Sequence, residues 1–322
     1  MSTAPGVHAL FGAATIGTEG SAFTRVTTVE AAQPFVDTLV RHGHSGIDTA
    51  RIYGSGSSEK LVAKLNLDGV RVDTKIYPKQ PGDFAPAKVK EQVQLSLEAL
   101  NGVKIRTLYL HAPDRSTPFE ETLSAIDELY KQGVFESFGL SNFYSWEVAE
   151  IVTIARLKGY VAPTVYQGIY NCLDRSNEVE LFPCLRKYDI RFAAYSPLAG
   201  GFLTGFHLDN EQSLANNIRF DPKSPASAFY SGRYARSVPV LRELKALGEK
   251  HGVGLTEMAI RWIAHHSQLR ESDVGVIYGG SKLAQLETAL ENHAKGPLPE
   301  EIAQALEEAW VKVKAHVPMY TP

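Results

Sequence analysis

Apolar β-type runs alternate with amphipathic segments along nearly all of the 322-residue chain, and that alternation restricts the folds open to it. Strands are predicted at 9–15, 46–50, 71–76, 105–111, 135–140, 164–168, 191–196 and 273–278. Helical periodicity fills the intervals. In 86–101, Val89, Val93, Leu97 and Leu100 share one face, and in 118–132 Thr122, Ile126 and Leu129 do the same. Parallel neighbours need a crossover helix, so strand–helix alternation implies a parallel sheet. Eight such units in roughly 280 residues predict an α/β fold of the (β/α)8 TIM-barrel type, read as a single domain over 1–322. A doubly wound sheet would instead need a tight glycine-rich turn after its first strand. "FGAATIGTEG" places Gly12, Gly17 and Gly20 at other spacings, and no Pro/Gly/Ser-rich linker divides the chain. Two segments break the alternation. Residues 198–236 read as a long loop over the rim, and from Pro299 a helix (Ile302, Leu306, Trp310, Val313) leads into "HVPMYTP", expected beside the same rim.

Composition narrows the partners. A formal charge of −3 leaves no basic excess to neutralise phosphates, which argues against a nucleic-acid binder. No apolar run approaches the roughly 20 residues that span a bilayer. The start "MSTAPGVHAL" lacks the pattern of a secretory signal, and the expectation is a cytoplasmic protein. Cys172 and Cys184 form no disulfide framework and lack metal-site spacing, so no metal is expected.

The candidate chemistry sits at strand ends. Asp48 and Tyr53 lie in "GIDTARIYG", Lys75 in "VDTKIYP" and His111 in "LYLHAPD". The intervals from Asp48 to Lys75 and from Lys75 to His111 each suit one βα unit, so neighbouring strands would deliver all four to one rim. A free phenol titrates near pH 10, too high for an easy proton donor at neutral pH. A nearby ammonium favours the phenolate, so Lys75 is expected to lower Tyr53, with Asp48 holding Lys75 charged and oriented. His111 would hydrogen-bond a substrate carbonyl oxygen.

Later strand ends offer cofactor-type groups. Ser141 and Asn142 in "FGLSN" and Gln167 in "TVYQG" could fix a planar amide such as a nicotinamide carboxamide, and Tyr195 could stack on the ring. "YSPLAGGFLTG", with Ser196, Leu198 and Gly200, and "YGGSKLAQLE", with Gly280, Ser281, Lys282 and Gln285, are candidate phosphate sites. In the second, Ser281 is expected as N-cap of a helix starting near Leu283, whose N–H groups suit a phosphate. Lys282 would face an adenosine 2′-phosphate. Three decoys are set aside. His42 and His44 in "HGH" precede their strand and so lie on the wrong face, "GSGSS" (54–58) lacks a P-loop ending, and His265 and His266 read as helix surface.

These motifs resemble the aldo-keto reductases, most closely the aflatoxin-aldehyde and succinic-semialdehyde reductase branch. "IDTARIYG", "LYLHAPDRSTPFEETL", "GLSNFYSWEVAEI", "PTVYQGIYN", "ELFPCLR", "PLAGGFLTG" and "RWIAHHSQL" carry the likeness across nearly the whole chain. The resemblance implies a (β/α)8 barrel and NADPH-dependent reduction of aldehydes, with NADP+ as the oxidised product. It assigns Asp48, Tyr53, Lys75 and His111 as the catalytic tetrad, Ser141, Asn142 and Gln167 to the carboxamide, and Tyr195 to the nicotinamide. Members of the branch are typically cytosolic and often homodimeric. Gln285 stands where many relatives carry an arginine at the 2′-phosphate, leaving Lys282 and Arg219 as compensating cations. "FYSGRYAR" resembles the branch segment whose arginine meets a substrate carboxylate, which makes Arg233 the anchor for carboxylate-bearing aldehydes; dicarbonyls are the other substrate class expected. The alternative reading is a nucleotide-sensing regulatory subunit of the same fold with little turnover. A metal-dependent barrel hydrolase fails for want of strand-end ligands. Arg51, inside the catalytic segment, has no role assigned from the sequence.

Overall fold

The structure is a computed structural model and describes residues 6–21, 23–208, 217, 219–224 and 226–321. Eight parallel strands close into a barrel in chain order: β1 (Ala9–Gly12), β2 (Gly46–Asp48), β3 (Arg71–Ile76), β4 (Ile105–Leu110), β5 (Phe135–Ser141), β6 (Val165–Ile169), β7 (Arg191–Tyr195) and β8 (Gly275–Gly279). Closure comes from β1 against β8, with Ala9 opposite Val276 and Gly12 opposite Gly279. Helices α1 (Val29–Arg41), α2 (Ser57–Val62), α3 (Pro86–Leu100), α4 (Phe119–Lys131), α5 (Ser145–Lys158) and α6 (Leu181–Lys187) follow β1 to β6 in turn. Between β7 and β8 lie α7 (Ser227–Tyr234), α8 (Val238–His251) and α9 (Leu255–His265), and α10 (Leu283–His293) and α11 (Glu300–Val313) end the fold.

The core lies between sheet and helices, where Ile47, Val72, Leu108, Phe138, Phe192 and Val276 are buried against helix residues such as Val93, Ile126 and Ile151. Leu10, Ala193 and Ile277 form a separate small cluster. Residues two apart on a strand share a face, so Asp73 and Lys75 stack on β3. Asp73 takes Arg106 Nε at 2.7 Å, and Lys75 holds Asp48 one level nearer the rim. Tyr109 fills the space beside Gly139 on β5, where any Cβ would collide with its ring.

Several boundaries differ from expectation. β1 stops at Gly12, and Ala13–Thr15 form a short helical turn because Ser58 Oγ bonds Ala13 O at 3.0 Å and Thr15 Oγ1 bonds Gly280 O at 2.6 Å. Segment 198–236 is not a plain loop. It contains a helical turn at Ala199–Thr204 and helix α7, packed through Phe202, Phe220, Tyr230 and Tyr234; positions 209–216, 218 and 225 lie outside the described residues. The C-terminal segment docks through Tyr320. Tyr320 is buried, donates to Glu180 Oε1 at 2.6 Å and accepts from Ser145 N at 2.9 Å, both at helix N-termini on the strand-exit side.

The decoys behave structurally. His44 Nδ1 accepts from Ala9 N at 3.4 Å at the opposite end of the barrel, and burial with neighbouring His293, His8 and His42 pulls the ring down to about 4. His265 is exposed, but His266 is only half-buried surface, since its Nε2 accepts from Leu298 N at 2.9 Å. Among the described residues no group of histidine, cysteine or carboxylate side chains could hold a metal ion, and no helix is long and apolar enough to cross a membrane. Both cysteines are free.

Gly275 tests the closure. Its φ is +128°, and a Cβ there would collide with the backbone oxygen of His8. Gly275→Ala is expected to destabilise the fold by about 3 kcal/mol, read as a lowered urea midpoint. An unchanged midpoint would mean that the β1–β8 seam tolerates a side chain.

Candidate active site

Lys75 organises the rim. It is fully buried, and its ammonium donates to both Asp48 oxygens at 2.7 Å and to Thr49 O at 2.8 Å. Gln167 Nε2 adds a bond to Asp48 Oδ1 at 2.7 Å. Burial pushes the Asp48 carboxyl up, against Lys75 and Gln167, which hold it down. The Lys75 ammonium also faces two rings, with Nζ 5.1 Å from the Tyr53 centroid and 5.9 Å from that of Tyr109.

His111 joins from the end of β4, its backbone N bonded to Ile76 O at 2.9 Å. Its ring stands edge-to-face with Tyr53 at 5.9 Å and with Tyr77 at 5.5 Å. Burial, and then Lys75, hold the imidazole well below its ordinary value, so it is neutral at pH 7. Its Nδ1 is buried without a hydrogen-bond partner. The structure thus brings the four strand-end residues together.

It corrects one expectation about them. Tyr53 is raised, not lowered: burial is the main cause and the Asp48 carboxylate the next. The hydrogen bonds of Lys75 go to Asp48 and Thr49 instead of the phenol oxygen, so the cation stabilises the carboxylate first. A phenol held in this way stays protonated through neutral pH and yields its proton only to a stronger base, such as a developing alkoxide.

The amide-binding candidates form a second network. Asn142, at φ +63°, donates to His111 O at 2.9 Å and Ser141 Oγ at 3.1 Å, and accepts from the Tyr195 hydroxyl at 2.8 Å. Ser141, Asn142 and Tyr195 therefore lie together beside His111, while Gln167 is tied to Asp48. Ser196, at φ +56°, shares a 2.9 Å bond with the Tyr230 hydroxyl, and Leu198 is half-buried in the following turn. A Cβ on Gly200 would meet the Tyr230 ring at 2.6 Å. At the other candidate phosphate site the N-cap of α10 is Lys282, not Ser281. Gln285 Oε1 accepts from Ser281 N at 2.8 Å and Lys282 N at 3.1 Å, so the amides expected for a phosphate already have an acceptor. Gly280 is buried there and Lys282 exposed. Arg219 lies over the Tyr230 ring at 5.8 Å.

Arg233 is 2% exposed, pairs with Asp174 Oδ2 at 3.0 Å, and donates to Pro318 O at 3.3 Å and Met319 O at 2.8 Å, while its Nε is buried without a partner. It ties α7 to the C-terminal segment. Sequence reasoning missed Tyr77, Asn171 and Tyr230. Tyr77 lies two residues after Lys75, so strand parity alone could have placed it on the same face. Asn171 donates to Ser196 O at 3.1 Å and to the Tyr234 hydroxyl at 3.0 Å, a link that no short motif announces.

The buried pair generates a prediction. In Lys75→Met, Asp48 loses its cation and its raised carboxyl rises further. The folded state then holds a proton that the unfolded chain releases, and such stability is present below the unfolded value and lost as pH rises. Urea unfolding should show a larger deficit relative to wild type at about pH 8 than at about pH 5. An equal deficit at both would mean that Lys75 does not set the charge of Asp48.

Comparison with known proteins identifies the family. The sequence model of the Aldo/keto reductase family matches residues 10–311. An aldo-keto reductase of Pseudocercospora fijiensis (strain CIRAD86) is 43% identical over 294 residues, covering 88% of this chain and 99% of the relative. The aldo-keto reductase pigE of Monascus ruber is 38% identical, covering 97% and 96%. Aflatoxin B1 aldehyde reductase member 2 of Mus musculus is 38% identical, covering 90% and 83%. With a closed eight-stranded parallel barrel on one side and these matches on the other, the chain belongs to the aldo/keto reductase family of oxidoreductases.

Proposed function

We propose that this protein is an NADPH-dependent aldehyde reductase in which Tyr53 donates the proton to the carbonyl oxygen. The observation that carries the reading is the Lys75 ammonium, clamped by Asp48 and Thr49 O beneath the Tyr53 ring with neutral His111 alongside. The donor set fits a nicotinamide group: Ser141, Asn142 and the Tyr195 ring lie together beside His111, and the unpartnered His111 Nδ1 is a polar atom within the site. Bound NADPH would supply the hydride. Ser141 and Asn142 would hold the carboxamide and Tyr195 the ring, with Gln167 supporting the site through Asp48. Ser196, Leu198, Gly200, Gly280, Ser281 and Lys282 would line the dinucleotide, and an anion at α10 would take over the amides now bonded to Gln285.

The carbonyl oxygen is oriented by His111, whose neutral ring can donate a hydrogen bond. As negative charge builds on that oxygen it becomes a stronger base than the phenolate, and Tyr53 gives up its proton. The Lys75 ammonium, 5.1 Å from the ring centroid, stabilises the phenolate left behind. The relatives named as aflatoxin B1 aldehyde reductases favour aldehydes as the substrate class. The same reading places the enzyme in the cytoplasm, as a homodimer.

NADPH oxidation with 4-nitrobenzaldehyde and succinic semialdehyde tests the proposal. Tyr53→Phe should lower kcat by about 10²–10⁴ with NADPH binding retained. NADPH binding by the wild type without turnover on any aldehyde would favour the nucleotide-sensing alternative instead. We also propose that Arg233 selects carboxylate-bearing aldehydes. Arg233→Ala should then raise KM for succinic semialdehyde by roughly tenfold or more, while leaving that for 4-nitrobenzaldehyde near wild type. Equal changes for both substrates would reduce Arg233 to a tether between Asp174 and the C-terminal segment.

A further inference from the structure

The loop that carries Tyr53 is held by a device that the reaction itself does not use. Immediately after Tyr53, residues Gly54, Ser55 and Gly56 have φ values of 54°, 54° and 91°. Three successive left-handed residues, one of them not glycine, keep this shape only if their surroundings impose it. Arg51 and Glu59 bracket the loop. The Arg51 guanidinium passes so close to Gly56 that a Cβ there would collide with it, and it ion-pairs with Glu59 Oε2 at 2.6 Å. The same Nη1 donates to Leu95 O on α3 at 2.7 Å.

Glu59 is fully buried, and its other oxygen accepts from Thr74 Oγ1 at 2.6 Å. Thr74 precedes Lys75 on β3, and Arg51 N bonds Lys75 O at 2.9 Å. Two links therefore join the segment bearing the phenol to the strand bearing the ammonium, one through the backbone of Arg51 and one through its side chain, Glu59 and Thr74. Burial pushes the Glu59 carboxyl up, opposed by Thr74 and Arg51. A buried ion pair is a poor source of net stability, and its best-attested use is to select one geometry over close alternatives.

We infer that Arg51 and Glu59 are positioning residues for Tyr53, the ion pair between half-buried Arg51 and buried Glu59 fixing the phenol over the Lys75 ammonium. The inference rests on the reading of Tyr53 as proton donor. Mispositioning of a reacting group by an ångström can cost on the order of 10²-fold in rate, so the pair acts on kcat and not on binding.

The test is steady-state reduction of 4-nitrobenzaldehyde by NADPH, with NADPH binding and thermal unfolding measured in parallel. The proteins compared are wild type, Arg51→Ala, Arg51→Lys, Glu59→Gln, Tyr53→Phe and Arg51→Ala/Tyr53→Phe. Arg51→Ala should lower kcat about tenfold or more, with KM and the NADPH dissociation constant within about twofold of wild type. Arg51→Lys, which keeps the charge beside Glu59, should recover part of the loss. In the Tyr53→Phe background the Arg51→Ala loss should vanish, because a residue acting through Tyr53 has nothing left to position. Wild-type kcat in folded Arg51→Ala would overturn the inference, as would a loss that multiplies in full with that of Tyr53→Phe. Should Arg51→Ala fail to fold, Glu59→Gln, isosteric and able to keep the Thr74 contact, takes its place in both backgrounds. Full activity of Tyr53→Phe alone would instead sink the reading of the proton donor, a distinguishable failure.

Discussion

Everything at the rim is arranged around one buried cation. Lys75 has no access to solvent, and three oxygen contacts take the place of water around its ammonium. The same exchange fixes Asp48, whose carboxylate would otherwise be driven to its neutral form by burial. Such a pair contributes little net stability. What it supplies is a positive charge of fixed position in a site with little water, where electrostatic effects on a reacting group are strongest. Two neighbouring rings and the imidazole respond to it. Tyr53 and Tyr109 face the ammonium, and Lys75 helps keep His111 neutral.

A second layer of polar contacts makes that geometry specific. Asn142 ties the backbone of His111 to Ser141 and Tyr195, and thus the ends of β4, β5 and β7 are locked together. Gln167 on β6 completes the ring through Asp48 on β2. Contacts of this kind cross the barrel instead of following the chain. They need strand ends to lie at one level, which the closed parallel register provides.

This explains what could be read from the sequence and what could not. The barrel was legible because apolar periodicity is local and repeats. The clustering of Asp48, Tyr53, Lys75 and His111 was legible because Asp48, Lys75 and His111 sit at strand ends, Tyr53 follows β2 within five residues, and a parallel barrel gathers strand ends at one face. Parity along a strand could have added Tyr77. Tyr53's raised phenol was not legible, since it depends on where the hydrogen bonds of Lys75 go, and residue type does not state that. Nor was the partner of Arg233: Asp174 lies 59 positions away, on the loop after β6. Segment 198–236 carried turn signals that masked a short helix, because α7 is stabilised by aromatic packing and not by its own periodicity. At α10 the side chain that accepts from the N-terminal amides belongs to Gln285, at the third helical position, and the lysine at the N-cap disguised that arrangement in the sequence.

The strained loop after Tyr53 shows why the sequence left Arg51 without a role. Seen alone, "ARIYGSGSSE" offers an arginine among small residues, with nothing to choose between solvent and structure. Folding closes the ten residues on themselves, bringing Arg51 to Glu59 under Gly56, and only then does the charge pair have a purpose. A flexible Gly-Ser-Gly segment would let the neighbouring phenol sample many positions. Pinning it from both sides to β3 and α3 converts that freedom into one conformation. A loop that sets a tyrosine ring over a buried ammonium thus takes glycines for shape and an ion pair anchored on buried Glu59 for rigidity.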